Sequence, residues 1–315
     1  MKGLTDIPGV LVGHASDYDA LTGCTVILFE RGAAGGVDVR GSATGTEEFG
    51  LLDPMHVTER INAVVFAGGS AFGLEAASGV RRYLEMKGVG YQTAAGPVPL
   101  VPAAILYDLS LGKKHVRPTR EMGEVAAGAA SAGPVAEGAV GAGTGATVGK
   151  LFGMNRAMKS GIGSFTVALA DGVLVSSLAA VNAFGDVIDP ANGGIVAGAR
   201  RTPDSLEFAN TAQAMLNVTA AGNRQNTTLV LVATNAQLSK VGAAKLAEFG
   251  SAGMARALSP VWTMFDGDVV IGVSVGDRKA DVNALGVAAA HAVAQSILRA
   301  VRLAKTMGGV PGLLQ

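Results

Sequence analysis

Hydrophobic and polar positions along the chain alternate between short strand-like runs and longer amphipathic stretches. Gly9-Val10-Leu11-Val12-Gly13-His14 and Cys24-Thr25-Val26-Ile27-Leu28-Phe29 read as two strands around a turn. The glycine-rich segment 31–50 that follows reads as irregular structure, and 61–67 as a buried strand feeding a helix that ends near residue 86. Prolines 99 and 102 interrupt the apolar run 98–106, and Pro118 and Thr119 open a helix through about residue 132. Segments 164–170 and 173–181 flank Asp171-Gly172, a hairpin signal. Residues 190–223 read as a loosely ordered connection with an amphipathic piece at 206–216, the place for a cleavable linker. A strand at 228–234, a helix at 239–249, a strand at 269–275 and a long helix at 281–305 close the chain. No repeat or change of composition divides it, so residues 1–315 are expected to form a single domain.

The run Leu229-Val230-Leu231-Val232 has the aliphatic continuity of a strand buried on both faces. Directly before it stand Asn226, Thr227 and Thr228, two hydroxyls at the mouth of a rigid element. Threonine is also an ordinary strand residue. Asn226-Thr227-Thr228 and Asn217-Val218-Thr219 fit the glycosylation pattern too, which matters only in a secreted protein.

Composition narrows the classes. Hydrophobic residues make up 49% and charged ones 16%, enough apolar material for a large core and too much for disorder. Basic and acidic residues number 25 each, which leaves no excess of positive charge to hold nucleic acid. So low a charged fraction suggests that part of the surface is covered by other subunits. Cys24, the only cysteine, has no disulfide partner and reads as a buried structural thiol. The first residues show no stretch of signal-peptide type and no run reads as a membrane span, so the expected location is the cytoplasm.

Three motifs come close to familiar chemistry and fail. Gly68-Gly69-Ser70-Ala71-Phe72 has Phe72 where a nucleophile elbow needs glycine, and reads as a tight turn before a helix. The 31–50 glycines lack the strand-then-helix setting of a dinucleotide fingerprint. In Gly143-Thr144-Gly145-Ala146-Thr147-Val148-Gly149-Lys150-Leu151, Thr144 and Leu151 break the phosphate-loop pattern. No cofactor is expected.

Asn226-Thr227-Thr228 followed by an aliphatic strand and Thr234-Asn235 resembles the self-cleavage site of the P1 peptidase family, which includes β-peptidyl aminopeptidases and nylon-oligomer hydrolases. The similarity extends from Gly9–His14 through Gly68-Gly69-Ser70-Ala71-Phe72-Gly73-Leu74 and Pro102-Ala103-Ala104-Ile105-Leu106-Tyr107-Asp108 to Phe265-Asp266-Gly267-Asp268, covering most of the chain. Singly these segments are weak; their order and spacing make the match specific. The resemblance implies an α+β fold, the αββα sandwich shared with the self-processing ornithine acetyltransferases. It implies cleavage between Asn226 and Thr227 into fragments 1–226 and 227–315, with Thr227 as an N-terminal nucleophile acting on small amides or peptides. It further implies a homotetramer of such fragment pairs.

The nylon-oligomer branch maps functional residues onto Tyr107, Lys150, Asn182, Thr227, Asp266 and Asp268. Each also has a structural reading. Tyr107 is then a buried ring, Lys150 a surface lysine, Asn182 a turn residue, and Asp266 and Asp268 turn formers before a strand. In the catalytic reading Lys150 holds down an amine pKa or orients substrate. Asn182 donates to an oxyanion, and the two aspartates orient Thr227 and pass protons. The β-peptidyl aminopeptidase branch has a serine nucleophile, with serine and glutamate in place of the two aspartates, so this chain resembles the nylon-oligomer branch there. β-Peptides and D-amino-acid amides stay open as substrates. An acetyltransferase activity is the competing class, although the Lys-Gly-containing approach to the threonine is missing.

Overall fold

The computed structural model describes residues 1–217 and 226–314. Strand β1 (Val10–Asp17) pairs antiparallel with β2 (Thr22–Val39), which pairs in turn with β3 (Ile61–Ala67). Helix α1 (Glu75–Met86) follows, then the short strand β4 (Ala103–Ile105), parallel to β3, and helix α2 (Arg120–Gly128). The second half holds β5 (Ile162–Ala168), β6 (Leu174–Asn182), β7 (Thr227–Ala236), helix α3 (Lys240–Ala257), β8 (Val269–Arg278) and helix α4 (Val282–Arg302). Strands run in the order β5-β6-β7-β8-β2-β3-β4, with Thr46–Glu47 at the edge and β1 on β2. Only β7–β8 and β3–β4 are parallel among these pairs.

The long strand β2 belongs to two layers. Its first half pairs with β3 and its second with β8, and the register breaks between Leu28 and Ala33. The two layers face each other across a core of Ile27, Phe29, Val64 and Phe66 against Leu178, Leu229, Leu231 and Ile271. Helices α1 and α2 cover the outer face of one layer through Val26, Val65, Val80 and Ala126. Helices α3 and α4 cover the other through Val230, Val232, Leu246 and Val293. Alternate residues of β7 thus enter different cores, as a period of two requires, and each buried Leu or Val contributes roughly 1.5–3 kcal/mol. The result is the expected αββα sandwich.

Several sequence expectations change. Residues 31–39 are not irregular: β2 continues through Gly35 and Gly36. Glycine is needed there because a Cβ on Gly36 would lie 2.2 Å from the Ala244 nitrogen, where α3 crosses the strand. Helix α3 runs to Ala257, past Gly250 and Gly253; a Cβ on Gly253 would meet the Ala290 carbonyl oxygen of α4 at 2.3 Å. Helix α2 stops at Gly128, with the Thr119 hydroxyl accepting the Met122 N–H at its start.

The connection after β6 is more ordered than its sequence implied. Ile195–Ala197 pairs with Asp186–Ile188, and buried Asp186 accepts from Ala199 N, Thr211 N and Thr211 Oγ1 at 2.6–2.8 Å. The rest of the expected linker, 218–223, lies outside the described residues. Helix α4 is 21 residues long with a window of mean hydropathy 1.4, long and apolar enough to cross a membrane, yet 72% of that window is buried inside the molecule. Cys24 is a free, buried thiol, and burial pushes its pKa up to about 12.

Gly36→Val tests the corrected strand. A branched side chain against α3 is expected to destabilise the protein by about 1–3 kcal/mol, read as a lower thermal midpoint. An unchanged midpoint would restore the loop reading.

Candidate active site

Four loops and strand ends meet at the start of β7. The parallel pairing of β7 with β8 begins before either strand is fully formed: Asn226 N donates to the Phe265 carbonyl at 3.1 Å, and Gly267 N donates to the Asn226 carbonyl at 2.7 Å. Thr227, buried, turns its hydroxyl back onto the same Asn226 oxygen at 2.5 Å. This oxygen is that of the peptide bond joining Asn226 to Thr227, and it accepts from both groups. The Asn226 side chain also donates to Phe265, Nδ2 to carbonyl oxygen 3.2 Å.

On the opposite side, the antiparallel register of β6 and β7 sets Asn182 directly across from Thr227. Asn182 is buried, and its side-chain oxygen accepts from Lys150 Nζ at 2.7 Å and Thr147 N at 3.1 Å. Lys150 Nζ also reaches the Asn182 backbone carbonyl at 2.9 Å, and Asn182 Nδ2 donates to the Tyr107 carbonyl at 2.9 Å. Tyr107 therefore joins the cluster through its backbone. Among the described residues its hydroxyl makes no hydrogen bond.

The two aspartates come from the turn leading into β8. Asp268 Oδ1 accepts from Thr228 N at 2.6 Å. Asp266 is held at both oxygens, Oδ1 by Phe184 N at 3.0 Å and Oδ2 by Thr263 Oγ1 at 2.5 Å. The structure thus gathers Asn226, Thr227, Asn182, Lys150, Asp266 and Asp268, together with the backbone of Tyr107.

Burial dominates the electrostatics. Desolvation raises the pKa of Asp266, and it pushes Asp268 up to about 8, with the charge of Asp266 adding to the effect. Desolvation also lowers Lys150 to about 7, opposed chiefly by the attraction of Asp266. With Lys150 at about 7 and Asp268 at about 8, the cluster can hold or pass a proton near neutrality.

Behind it lies a second buried pair that sequence reasoning missed. Asp108 accepts from Thr22 Oγ1 and Gly69 N, both at 2.7 Å, and burial pushes it up to about 6. Lys159, driven down to about 7 by burial, donates to the carbonyls of Gly143, Ala146 and Ser160. The same reasoning missed Thr263 and the Gly267 N–H. The signals were present: Asp108 adjoins Tyr107, and Gly267 stands between the two aspartates. A cleft of about 530 Å³ lined by Arg31, Arg60, Asn235 and Arg278 lies by the far end of β7, away from this chemistry. Among the described residues no group of His, Cys, Asp and Glu side chains is arranged to hold a metal.

The layered sandwich is a fold found in solved aminopeptidases. It superposes with a TM-score of 0.76 on the L-aminopeptidase D-Ala-esterase/amidase of Ochrobactrum anthropi, described as a variant of the Ntn hydrolase fold, at 20% identity over 98% of this chain and 88% of that one. A Burkholderia sp. β-aminopeptidase gives 0.70 at 24% identity, over 99% and 90% of the two chains. The chain itself belongs to peptidase family S58, which it matches over residues 2–314. It is 37% identical to an uncharacterized aminopeptidase of Mycobacterium leprae (strain TN), over 99% of this chain and 93% of that one. It is 32% identical to the 6-aminohexanoate-oligomer endohydrolase of Kocuria sp. (strain KY2), over 94% and 85%. The protein is a hydrolase of amide or peptide bonds.

The raised pKa of Asp268 has a consequence for stability. Between its ordinary value of 3.8 and about 8 the folded protein holds a proton that the unfolded chain has lost. Stability from this group is therefore present at low pH and lost as pH rises, by up to about 1.4 kcal/mol per unit. Lys150 acts with the opposite slope only above about 7. Thermal midpoints measured between roughly pH 4.5 and 6.5 are expected to fall less steeply in Asp268→Asn than in the parent. Equal slopes would place the carboxyl in an ordinary ionised state.

Proposed function

We propose that the protein cleaves itself between Asn226 and Thr227 and then hydrolyses amides through an acyl-enzyme on Thr227. The observation that carries this reading is the Thr227 hydroxyl 2.5 Å from the oxygen of its own preceding carbonyl, which the Gly267 N–H polarises from 2.7 Å. Attack by Oγ1 on that carbonyl carbon converts the amide to an ester, and the hydroxyl proton goes to the departing nitrogen of Thr227. Water then opens the ester, leaving a carboxyl on Asn226 and a free amine on Thr227.

That amine has an ordinary pKa of about 7.7–8.0 and takes the hydroxyl proton in later turnovers. Asp266 and Asp268 orient it and exchange protons with it, while Lys150 and Asn182 fix the opposite wall. Relatives named for 6-aminohexanoate oligomers and for aminopeptidase activity supply the amide classes to screen. Self-association of the paired fragments belongs to the same reading, motivated by the charged fraction of 16%.

Denaturing electrophoresis tests the cut. Thr227→Ala is expected to fold, at a cost on the order of 1 kcal/mol, yet stay a single 31.5 kDa chain without amidase activity. The parent should give fragments 1–226 and 227–315, about 23 and 9 kDa in proportion to length. Thr227→Ser should keep both reactions in part. Thr228→Ala is the control, and an uncut, inactive Thr228→Ala beside a cut, active Thr227→Ala would move the nucleophile to its neighbour.

A further inference from the structure

We propose that the cleft at the far end of β7 binds a nucleoside monophosphate, its phosphate held by Arg31, Arg60 and Arg278 and its base stacked on Tyr91. This site lies at the end of β7 opposite Thr227 and owes nothing to the nucleophile.

Two irregularities in the sheets build the cleft. The β2–β3 register breaks between Leu28 and Ala33, with Gly32 at φ 69°, and the β7–β8 register shifts between Thr234 and Ala236. Such bulges turn side chains out of the regular alternation. Here Glu30, Arg31, Arg60, Asn235, Asp277 and Arg278 come to line one cavity of about 530 Å³. That volume suits a small organic molecule rather than a single ion.

The three arginines are held in place without being neutralised. Arg60 Nη1 donates to the Arg31 and Gly32 carbonyls at 3.0 and 2.9 Å, and Arg278 Nη1 to the Asp171 carbonyl at 2.6 Å. Among the described residues the Arg31 side chain makes no hydrogen bond, and none of the three has a carboxylate oxygen within 4.0 Å. The plain reading is that Arg60 and Arg278 close loops. That role occupies Nη1 alone and leaves Nε and Nη2 of both, with the whole of Arg31, free of protein partners. A carbonyl fixes a guanidinium without cancelling its charge, and fixed charged forks are what bind phosphate. A phosphomonoester offers three acceptor oxygens, one for each arginine, whereas a carboxylate offers two.

The walls specify the rest of the ligand. A second cavity of about 530 Å³ shares Glu30, Arg31 and Arg60 with the first and continues along Val57, Leu100 and Tyr91. The Tyr91 side chain is 52% exposed, which leaves a ring face open to stacking. Glu30 and Asp277 repel a bare anion, so the body of the ligand must contribute to binding. At the junction of the two cavities Glu30 can accept from sugar hydroxyls. Arginines, a carboxylate and an aromatic wall match phosphate, ribose and base in that order.

Isothermal titration calorimetry of the purified protein with adenosine 5′-monophosphate, adenosine and inorganic phosphate tests the site. The monophosphate is expected to bind at least roughly tenfold tighter than either half alone. Arg31→Gln, which removes no contact within the protein, should weaken it roughly tenfold at an unchanged thermal midpoint. Arg278→Gln should weaken it similarly. Tyr91→Ala should weaken the monophosphate roughly fivefold or more and leave inorganic phosphate as in the parent. Absence of saturable monophosphate binding, or binding that survives either arginine change intact, overturns the site. Phosphate bound as tightly as the monophosphate, or a monophosphate indifferent to Tyr91→Ala, overturns the nucleoside assignment. Should Arg278→Gln fail to fold, Arg31→Gln decides alone.

Discussion

The site depends on the parallel pairing of β7 with β8. Residues 226–228 and 265–268 are far apart in sequence, and no local preference brings them together. The ladder does so, because its rungs start one residue before β7, at Asn226. That early start sets Asn226 between the Phe265 carbonyl and the Gly267 N–H, which fixes the orientation of the peptide bond that joins it to Thr227. A parallel pair requires a crossover between its strands, here α3, whose close seating on the sheet requires a bare backbone at Gly36. A glycine in a strand that looks irregular thereby helps fix the geometry at Thr227.

The second constraint is the burial of charge. An ammonium and two carboxyl groups enclosed together are stable only when neutralised, paired or hydrogen-bonded. Lys150 has acceptors on Asn182, and Asp266 has donors from Phe184 and Thr263. Asp268 has the Thr228 N–H and keeps its proton to about pH 8. Each charged group is thus tied to an element flanking Thr227, so the same bonds that make the burial tolerable also fix the site. The Asp108 and Lys159 groups extend this behind Tyr107, anchoring the segment whose Thr147 N–H and Lys150 ammonium both hold Asn182.

Much of this was legible in the sequence where one residue type had one physical use. The aliphatic run of β7 read as a strand buried on both faces, and Asp171-Gly172 marked the hairpin between β5 and β6. The resemblance carried by the motifs gathered Lys150, Asn182, Asp266 and Asp268, which composition and spacing alone left as surface or turn residues. The misread places have a common cause. Glycines at 35, 36, 250 and 253 read as interruptions, whereas they are contact points between elements distant in sequence. Gly267 and the Phe265 carbonyl were invisible for another reason: their contribution is backbone, and the side-chain code carries no sign of which N–H will face the Asn226 carbonyl.

The order of events follows from the same architecture. Thr227 opens a central strand flanked by β6 on one side and β8 on the other, so its neighbours exist only after the sheet has formed. Cleavage as proposed can therefore begin only in the folded chain, which protects an unfolded chain from being cut early. The same architecture would hold the two proposed fragments together, although Cys24 has no disulfide partner. The later fragment would contribute β7, β8, α3 and α4, yet β7 is bonded to β6 and β8 to β2, both from the earlier fragment. Helix α4 packs on β5 and β6 as well, burying its apolar face there. Separating the fragments would break two strand ladders and expose two cores, a far larger loss than one peptide bond's worth of tethering entropy.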